Sequence, residues 1–439
     1  MTTHGIAADP AAPNRDQSCR RDENETATAA IDPTPARRHA RRAALAAVSI
    51  AALGAGTGAA AAEPVAPLTI AQCPALYVLG VDGTGQSSPG ASPSTGTGVL
   101  GPMVEPLLAA GPAVVQRAYV PYDASFGGVP GTGGTTASYT ASMTGASATL
   151  HAMASQIAAT CPQTHIAGVG YSQGAHVVSQ FATAVGAGGG PIGADRVAGV
   201  ALYSDPARPG GTTVLPGRPG QTTPTPAPGT SGAAVSTVVL PQTSASGAGI
   251  DPAGSRFGAL SGRVAEFCTA GDLSCAAPQA PLLRAGAAVA AQASIADPAA
   301  AISTLGATIG AVATGVLADD VTVTGGSVNY LPTQSISERA VGAADPRTPA
   351  PSPSRHADAA QRWNQITAAV TADPAAALPR LVQQAGTAVS ALVAENQALL
   401  DPATWIDLPG QHTGYGGDLA AGAQWFAALA TDLSNNRPR

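Results

Sequence analysis

The 439-residue chain carries 21 basic and 27 acidic side chains, a net charge of −6 at neutral pH. That balance excludes a nucleic-acid partner, because a phosphate binder needs a basic footprint. Apolar residues make up 45% of the chain, enough for a sizeable core, although much of this is alanine and aromatics are only 4%.

Residues 1–36 are polar and show no periodic apolar face. Arg37, Arg38, Arg41 and Arg42 then lead into an apolar run from Ala43 to about Leu53. Small residues follow and end just before Glu63-Pro64. A basic region, a short apolar run and an A-x-A-like end make a secretory signal. The run is too short for a spanning helix. Residues 1–62 therefore read as an N-terminal extension and signal peptide, and the mature protein as secreted or held at the cell envelope. Cys19 precedes the signal and is lost on cleavage. Four cysteines remain (Cys73, Cys161, Cys268 and Cys275), an even number in an exported chain, so two disulfides are expected. Three pairings are possible. Cys268 and Cys275 enclose a short loop and form the natural local pair; Cys73 and Cys161 then bridge a long segment. The spacings are not those of zinc ligands, so no metal is expected.

From Leu68 the pattern becomes α/β. Leu76 to Val81 is a short apolar run that ends in Asp82-Gly83-Thr84-Gly85, a strand followed by a turn. Ala113 to Tyr122 offers a second strand. Residues 137–160 place Tyr139, Met143, Leu150, Met153 and Ile157 at helical spacing. A third strand is predicted at Ile166–Gly170, a helix from near Ser172, and a fourth strand at Val197–Tyr203. A Pro/Gly/Thr-rich loop follows at 206–232, and a fifth strand at Val264–Cys268. Strands alternating with helices imply a parallel sheet covered on both faces. Residues 63–280 form this core. Beyond it, 281–318 carry a narrow apolar seam (Ile302, Leu305, Ile309, Val312, Val316) on an alanine-rich helix. Four prolines make 341–358 a linker. A second helical stretch runs from about Gln361 to Leu400, with breaks at Pro374 and Pro379. Residues 281–404 thus read as a helical insertion, either a lid or a packing domain, and 405–439 as a return to the core.

The sharpest motif is Gly170-Tyr171-Ser172-Gln173-Gly174, between an apolar strand and an amphipathic helix. In that context the serine sits on a tight, strained turn that lifts its Oγ to the top of a sheet. Ser172 is the candidate nucleophile, and the Gln173 N–H points to the site of a developing oxyanion. A nucleophilic serine needs a base, and the base an orienting acid. In this strand–turn–helix arrangement the chain order is Ser, acid, His. His356 sits in the proline-rich linker and His412 in a glycine-flanked loop, which favours His412. His176 lies on the helix after Ser172; His151 and His165 precede the serine. Asp205 and Asp272 both follow predicted strands. Asp205 could equally cap a turn, whereas Asp272 is held between Cys268 and Cys275, so Asp272 is preferred.

At these residues the chain resembles the cutinase family of serine esterases, in its actinobacterial cutinase-like branch. Gly170-Tyr171-Ser172-Gln173-Gly174-Ala175 matches the nucleophile motif, and Cys268-Thr269-Ala270-Gly271-Asp272-Leu273-Ser274-Cys275 the acid loop. The resemblance implies a three-layer α/β-hydrolase fold with a central parallel sheet, here with a helical insertion. It also implies disulfides 73–161 and 268–275, and an oxyanion turn at Gly83-Thr84-Gly85 in which Thr84 supplies a second donor beside Gln173. The family's His is followed closely by Tyr and Gly, as His412 is by Tyr415 and Gly416. Two features depart from the pattern: Asp82 stands where many relatives have arginine, and a long stretch separates Asp272 from His412.

The implied activity is hydrolysis of carboxylic esters through an acyl-enzyme, with short acyl esters, polyesters or lipid esters as substrates. No cofactor is needed. The expected partners are an ester or lipid substrate and a cell envelope or lipid surface, with the protein a monomer. A thioesterase or acyltransferase would use the same triad. A non-catalytic envelope-binding protein on the same fold is the alternative of a different class; it would be favoured by a His412 far from Ser172.

Overall fold

The computed structural model describes residues 67–436, leaving aside Thr97 and Ser244. The signal segment and Cys19 lie outside the described residues.

Strand β1 (Leu76–Val81) is buried along its whole length. Helix α1 (Gly101–Val104) continues as a 3-10 turn over Glu105–Ala110 and leads to β2 (Val115–Tyr119). Then come α2 (Tyr139–Thr160), β3 (His165–Tyr171), α3 (Gln173–Gly186), β4 (Val197–Tyr203) and β5 (Val264–Phe267). The five strands lie in the order β2-β1-β3-β4-β5, and every pairing is parallel. Parallel sheets are covered on both faces, which is why these strands read as apolar runs rather than as alternation. On one face α2 and α3 supply Met143, Leu150, Ile157 and Phe181, which pack against Tyr77, Leu79, Val200 and Leu202.

The strand order reverses at β1. The chain leaves β1 toward β2 on one side, then returns to place β3 on the other. Ligands of open α/β sheets bind beyond the carboxyl ends of the strands at such a switch point. Val81 pairs in register with Gly170, so the turn after β1 and the turn after β3 emerge side by side.

Beyond β5 the chain makes a long excursion through α4 (Pro281–Gln292), α5 (Pro298–Gly315) and a hairpin of β6 (Val321–Thr324) and β7 (Ser327–Tyr330). It continues through α6 (Ile336–Ala344), α7 (Pro353–Ala372) and α8 (Pro374–Glu395). Three of these helices start in one way. Asp297, Ser352 and Asp373 each accept a backbone N–H at the N-cap, and each is followed by proline. The proline's missing donor costs nothing at that position. The expected break at Pro374 is thus a helix start, whereas α8 runs through Pro379. One forfeited backbone bond early in a long helix does not end it. The hairpin was not read from the sequence. Its signal was Gly325-Gly326, both at positive φ, after the β-branched run Val321–Thr324. The apolar seam of α5 faces outward, with Ile302 73%, Leu305 49% and Ile309 61% exposed. The helical stretch Pro298–Asp320 is long and apolar enough to cross a membrane, by length and composition only.

The chain then returns through α9 (Leu408–Thr413) to α10 (Gly416–Asn435). Trp425, Phe426, Leu429 and Leu433 of α10 pack with Leu76, Val78 and Tyr203 on the second face of the sheet, beside α1. Each such side chain stabilises the fold by roughly 1.5–3 kcal/mol through burial. The Asp432 carboxylate accepts the N–H groups of Ala234 and Val235, at 2.8 and 3.0 Å, which ties α10 to the long loop after β4. The result is a three-layer α/β sandwich.

The disulfides are Cys73–Cys161 and Cys268–Cys275, with sequence separations of 88 and 7. Loop-closure entropy makes the longer one the larger contributor, roughly 4–5 kcal/mol against about 2 kcal/mol. Urea denaturation of Cys73→Ala/Cys161→Ala is therefore expected to show the greater loss of stability, and that of Cys268→Ala/Cys275→Ala the smaller one.

Candidate active site

Ser172 connects β3 to α3 with φ 55° and ψ −121°, a conformation an L-residue holds only under constraint. The constraint is visible on either side. A Cβ on Gly174 would lie 1.9 Å from the Val81 carbonyl oxygen, and one on Gly170 would lie 2.5 Å from the Gly174 carbonyl oxygen. Only glycine lets the first turn of α3 descend this close to β1. The Ser172 N–H donates to the Tyr203 carbonyl at 2.9 Å and locks the turn to β4.

Three side chains meet above this turn. Ser172 Oγ lies 2.9 Å from His412 Nε2, and His412 Nδ1 lies 3.0 Å from Asp272 Oδ1. A carboxylate only accepts, so Nδ1 carries the proton and Nε2 is left to accept from Ser172. Ser204 Oγ stands 3.1 Å from the same Nδ1. The Tyr171 hydroxyl donates to the His412 carbonyl at 2.7 Å and holds the backbone that carries the ring. His412 sits on the short helix α9 rather than in the glycine-rich loop expected for it.

Asp272 is 1% exposed, inside the loop closed by Cys268 and Cys275. Burial alone would raise its pKa. Hydrogen bonds from His412, Ser204 and Tyr415 outweigh burial and hold the carboxyl below its ordinary value. The Tyr415 hydroxyl donates to Asp272 Oδ2 at 2.7 Å, and the Ser274 N–H donates to Oδ1 at 2.9 Å. Tyr415, itself fully buried, also accepts from the Thr269 N–H at 3.2 Å.

Gln173 opens α3, and its side chain is fixed by donation to the Ser125 carbonyl at 3.1 Å. Thr84 lies in the turn after β1, where the Gly85 N–H donates to the Ala124 carbonyl at 2.7 Å. Ser172 and Thr84 both border a cleft of about 730 Å³. Asp82, two residues before Thr84, is buried, and that burial lifts its pKa to about 7.

The other sequence candidates go elsewhere. The Asp205 carboxylate accepts the Ala207 N–H at 2.9 Å and so closes a turn. His356 pairs with Thr314 within the excursion, at 3.2 Å. His176 joins the Tyr139 hydroxyl at 3.0 Å and Asp251 Oδ2 at 2.9 Å. His151 packs on Phe181, and His165 opens β3. Ser204, and the part Tyr415 plays as a donor to the acid, were not anticipated. A tyrosine three residues after the histidine was the available signal for Tyr415; for Ser204, a lone serine after a strand gave none.

The lowered pKa of Asp272 fixes a sign. Its contribution to stability is present above the unfolded carboxyl value, about 3.9, and is lost as pH falls through the folded value. Tyr415→Phe removes a donor to the charged form, so the folded value rises. The variant is expected to lose roughly 1.5–3 kcal/mol at neutral pH and to begin acid unfolding at higher pH than the parent. Urea denaturation over a pH series reads both; superimposable pH curves would contradict this role for Tyr415.

The model of the family described as cutinase matches residues 72–292. An acetyl xylan esterase structure superposes with a TM-score of 0.33 at 20% identity, over 50% of this chain and 95% of that one. The catalytic core domain of acetyl xylan esterase from Trichoderma reesei gives 0.31 at 19% identity, over 48% and 90%. A cutinase-like protein from a Cryptococcus species gives 0.29 at 18% identity, over 47% and 82%. No curated protein sequence matches significantly. His412 falls outside the matched stretch, which holds Ser172 and Asp272. With half of its length matched by that family model, the chain belongs to the cutinase family of carboxylic ester hydrolases.

Proposed function

We propose that the protein is an exported serine esterase that hydrolyses carboxylic esters through a Ser172–His412–Asp272 triad. The observation that carries this is the unbroken hydrogen-bonded chain from Ser172 Oγ through His412 to Asp272, at the switch point of the sheet. Its length of 2.9 Å at the Ser172–His412 step argues against a binding protein with a dismantled site.

The chemistry follows from the geometry. Ser172 attacks the ester carbonyl as its proton passes to His412 Nε2. The carbonyl oxygen becomes an oxyanion, which the Gln173 N–H and Thr84 stabilise. Such donors are worth about 2.7–4 kcal/mol each because they are fixed before charge develops. His412, now an imidazolium, is stabilised by Asp272 and returns the proton to the leaving alcohol. Water then repeats the sequence on the acyl-enzyme. Two disulfides suit an oxidising compartment and support export. The substrate is an ester, and lipid esters of a cell envelope fall within its range.

Hydrolysis of p-nitrophenyl esters tests the reading, with a fluorophosphonate probe to label the nucleophile. Ser172→Ala is expected to lower kcat by about 10⁶ and to abolish labelling. Asp272→Asn, which reverses the tautomer preference of His412, is expected to cost about 10⁴. Turnover that survives Ser172→Ala in a folded protein would overturn the assignment.

A further inference from the structure

The turn after β1 carries a buried acid that the triad does not use. Thr84 lines the cleft, under a roof that includes Ala287 and Ala288 of α4. Asp82 does not line it and is only 3% exposed. An acid placed in this way acts on the reaction only through the turn it belongs to. Its main-chain carbonyl accepts from the Tyr122 hydroxyl at 2.5 Å. Its carboxyl accepts the N–H of Leu100, at the start of α1. The remaining carboxyl oxygen, Oδ1, meets no donor among the described residues.

What Oδ1 meets is another acceptor. A Cβ on Gly98 would come within 2.5 Å of both Asp82 Oδ1 and Gln86 Oε1, so the two oxygens crowd one point. Gln86 Oε1 accepts the Gly83 N–H at 3.3 Å and the Val99 N–H at 3.1 Å. Backbone N–H groups only donate, so that end of the amide is its oxygen. Two acceptors side by side, away from water, are stable only with a proton between them. A proton on Asp82 Oδ1 meets that need by donating to Gln86 Oε1. Gln86 then gathers Asp82, Gly83 and Val99 into one bonded group, and Gly83 is the residue before Thr84.

The surrounding groups favour the same state. From β2, Tyr119 faces Asp82, and Tyr122 follows it; both are phenols. Beyond Tyr119, Arg117 pairs with Glu105 at 3.0 Å, so that cation is already neutralised. From β3, the Tyr171 ring lies against Gly83. From α1 comes only the Leu100 N–H, and no cation faces the carboxyl among the described residues. Burial without a counter-charge favours the neutral acid, and the carboxyl accordingly titrates at about 7.

We propose that Asp82 is a positioning residue that keeps its proton in the active enzyme, where it braces Gln86 and the Thr84 turn against the end of β1, and that loss of this proton slows acyl transfer. This rests on the serine esterase reading above and on the oxyanion role given there to Thr84. Two effects combine when the proton leaves. The bond to Gln86 is lost, which loosens the turn. A negative charge also appears two residues from the place where the oxyanion develops, in surroundings that screen it poorly.

The test is kcat/KM for p-nitrophenyl butyrate across a pH series, on the parent, Asp82→Asn and Gln86→Met. Asparagine keeps the shape of the protonated acid, donates from the place of Oδ1 and cannot ionise. The parent's rate is expected to rise as His412 loses its proton and to fall again above about pH 7, by about five-fold or more at about pH 9. Asp82→Asn is expected to match the parent within about three-fold at about pH 6 and to hold its rate at about pH 9. Gln86→Met removes the acceptor of the neutral acid, so its fall is expected to begin at lower pH than the parent's. A parent profile level above neutrality, or an Asp82→Asn profile parallel to the parent's, would overturn the proposal while leaving the esterase reading intact. Urea denaturation of the parent and Asp82→Asn reads the proton without turnover. The folded value lies above the unfolded one, about 3.9, so the parent loses stability against Asp82→Asn as pH rises between the two. From about pH 5 to about pH 8 the ratio of their folding constants is expected to move about ten-fold or more toward Asp82→Asn. That movement supports the protonated brace even if the catalytic assignment fails; a constant ratio overturns it.

Discussion

The whole site depends on one close approach. The first turn of α3 passes so near the carbonyl ends of β1 that position 174 has no room for a β-carbon. That contact sets the angle at which α3 leaves the sheet. It forces Ser172 into a backbone conformation that points its Oγ away from the core, and it brings the turn carrying Thr84 beside the N-terminus of α3. The strain at Ser172 persists because everything around it is fixed: the sheet register, the buried face of α3 and the bond from Ser172 N–H to β4. Relaxing the turn would require the sheet and helix to separate.

A second constraint acts through Tyr415. His412 and Asp272 stand 140 positions apart, yet their side chains meet. The chain is brought back by α10, whose Trp425, Phe426 and Leu429 are buried against the sheet. Tyr415 begins that return and places its hydroxyl against Asp272, and Tyr171 ties down the His412 backbone. The alignment of the imidazole thus rests on hydrophobic burial some turns away, supplemented by two phenolic hydroxyls. His412, with Ser204 and the same phenol, keeps Asp272 in its charged form against the effect of burial.

The sheet was legible because parallel strands are apolar throughout, and the runs at 76–81, 166–170, 197–203 and 264–268 could hardly be anything else. The elbow was legible because its glycines answer a steric demand. The pairings of the four later cysteines followed from loop length and family likeness. The excursion was harder. Its alanine-rich composition signals helix but leaves the buried face undetermined, and on α5 the apolar seam turned out to face outward. The β6–β7 hairpin was hidden because its strands are short and lie in a segment dominated by helical signals. The expectation that His412 lies in a glycine loop failed because Leu408-Pro409 starts a short helix, proline being at home in a first turn. Long-range contacts such as Ser204 with His412 have no local signature at all.

Cys275 Sγ and the Tyr415 hydroxyl lie 3.4 Å apart, so the chain leaves the core and comes back to it at nearly the same place. What lies between, up to the short helix α9 that carries His412, is a closed detour. Closing such a loop costs little more when it is long than when it is short, each doubling adding only about 0.6 kcal/mol. The detour's length is consequently almost free to vary, provided its two ends stay pinned. A lineage could lengthen, shorten or exchange the helices that cover the cleft without disturbing the bonds between serine, histidine and aspartate. The fold separates what is to be hydrolysed from how it is hydrolysed, and leaves the first open to revision.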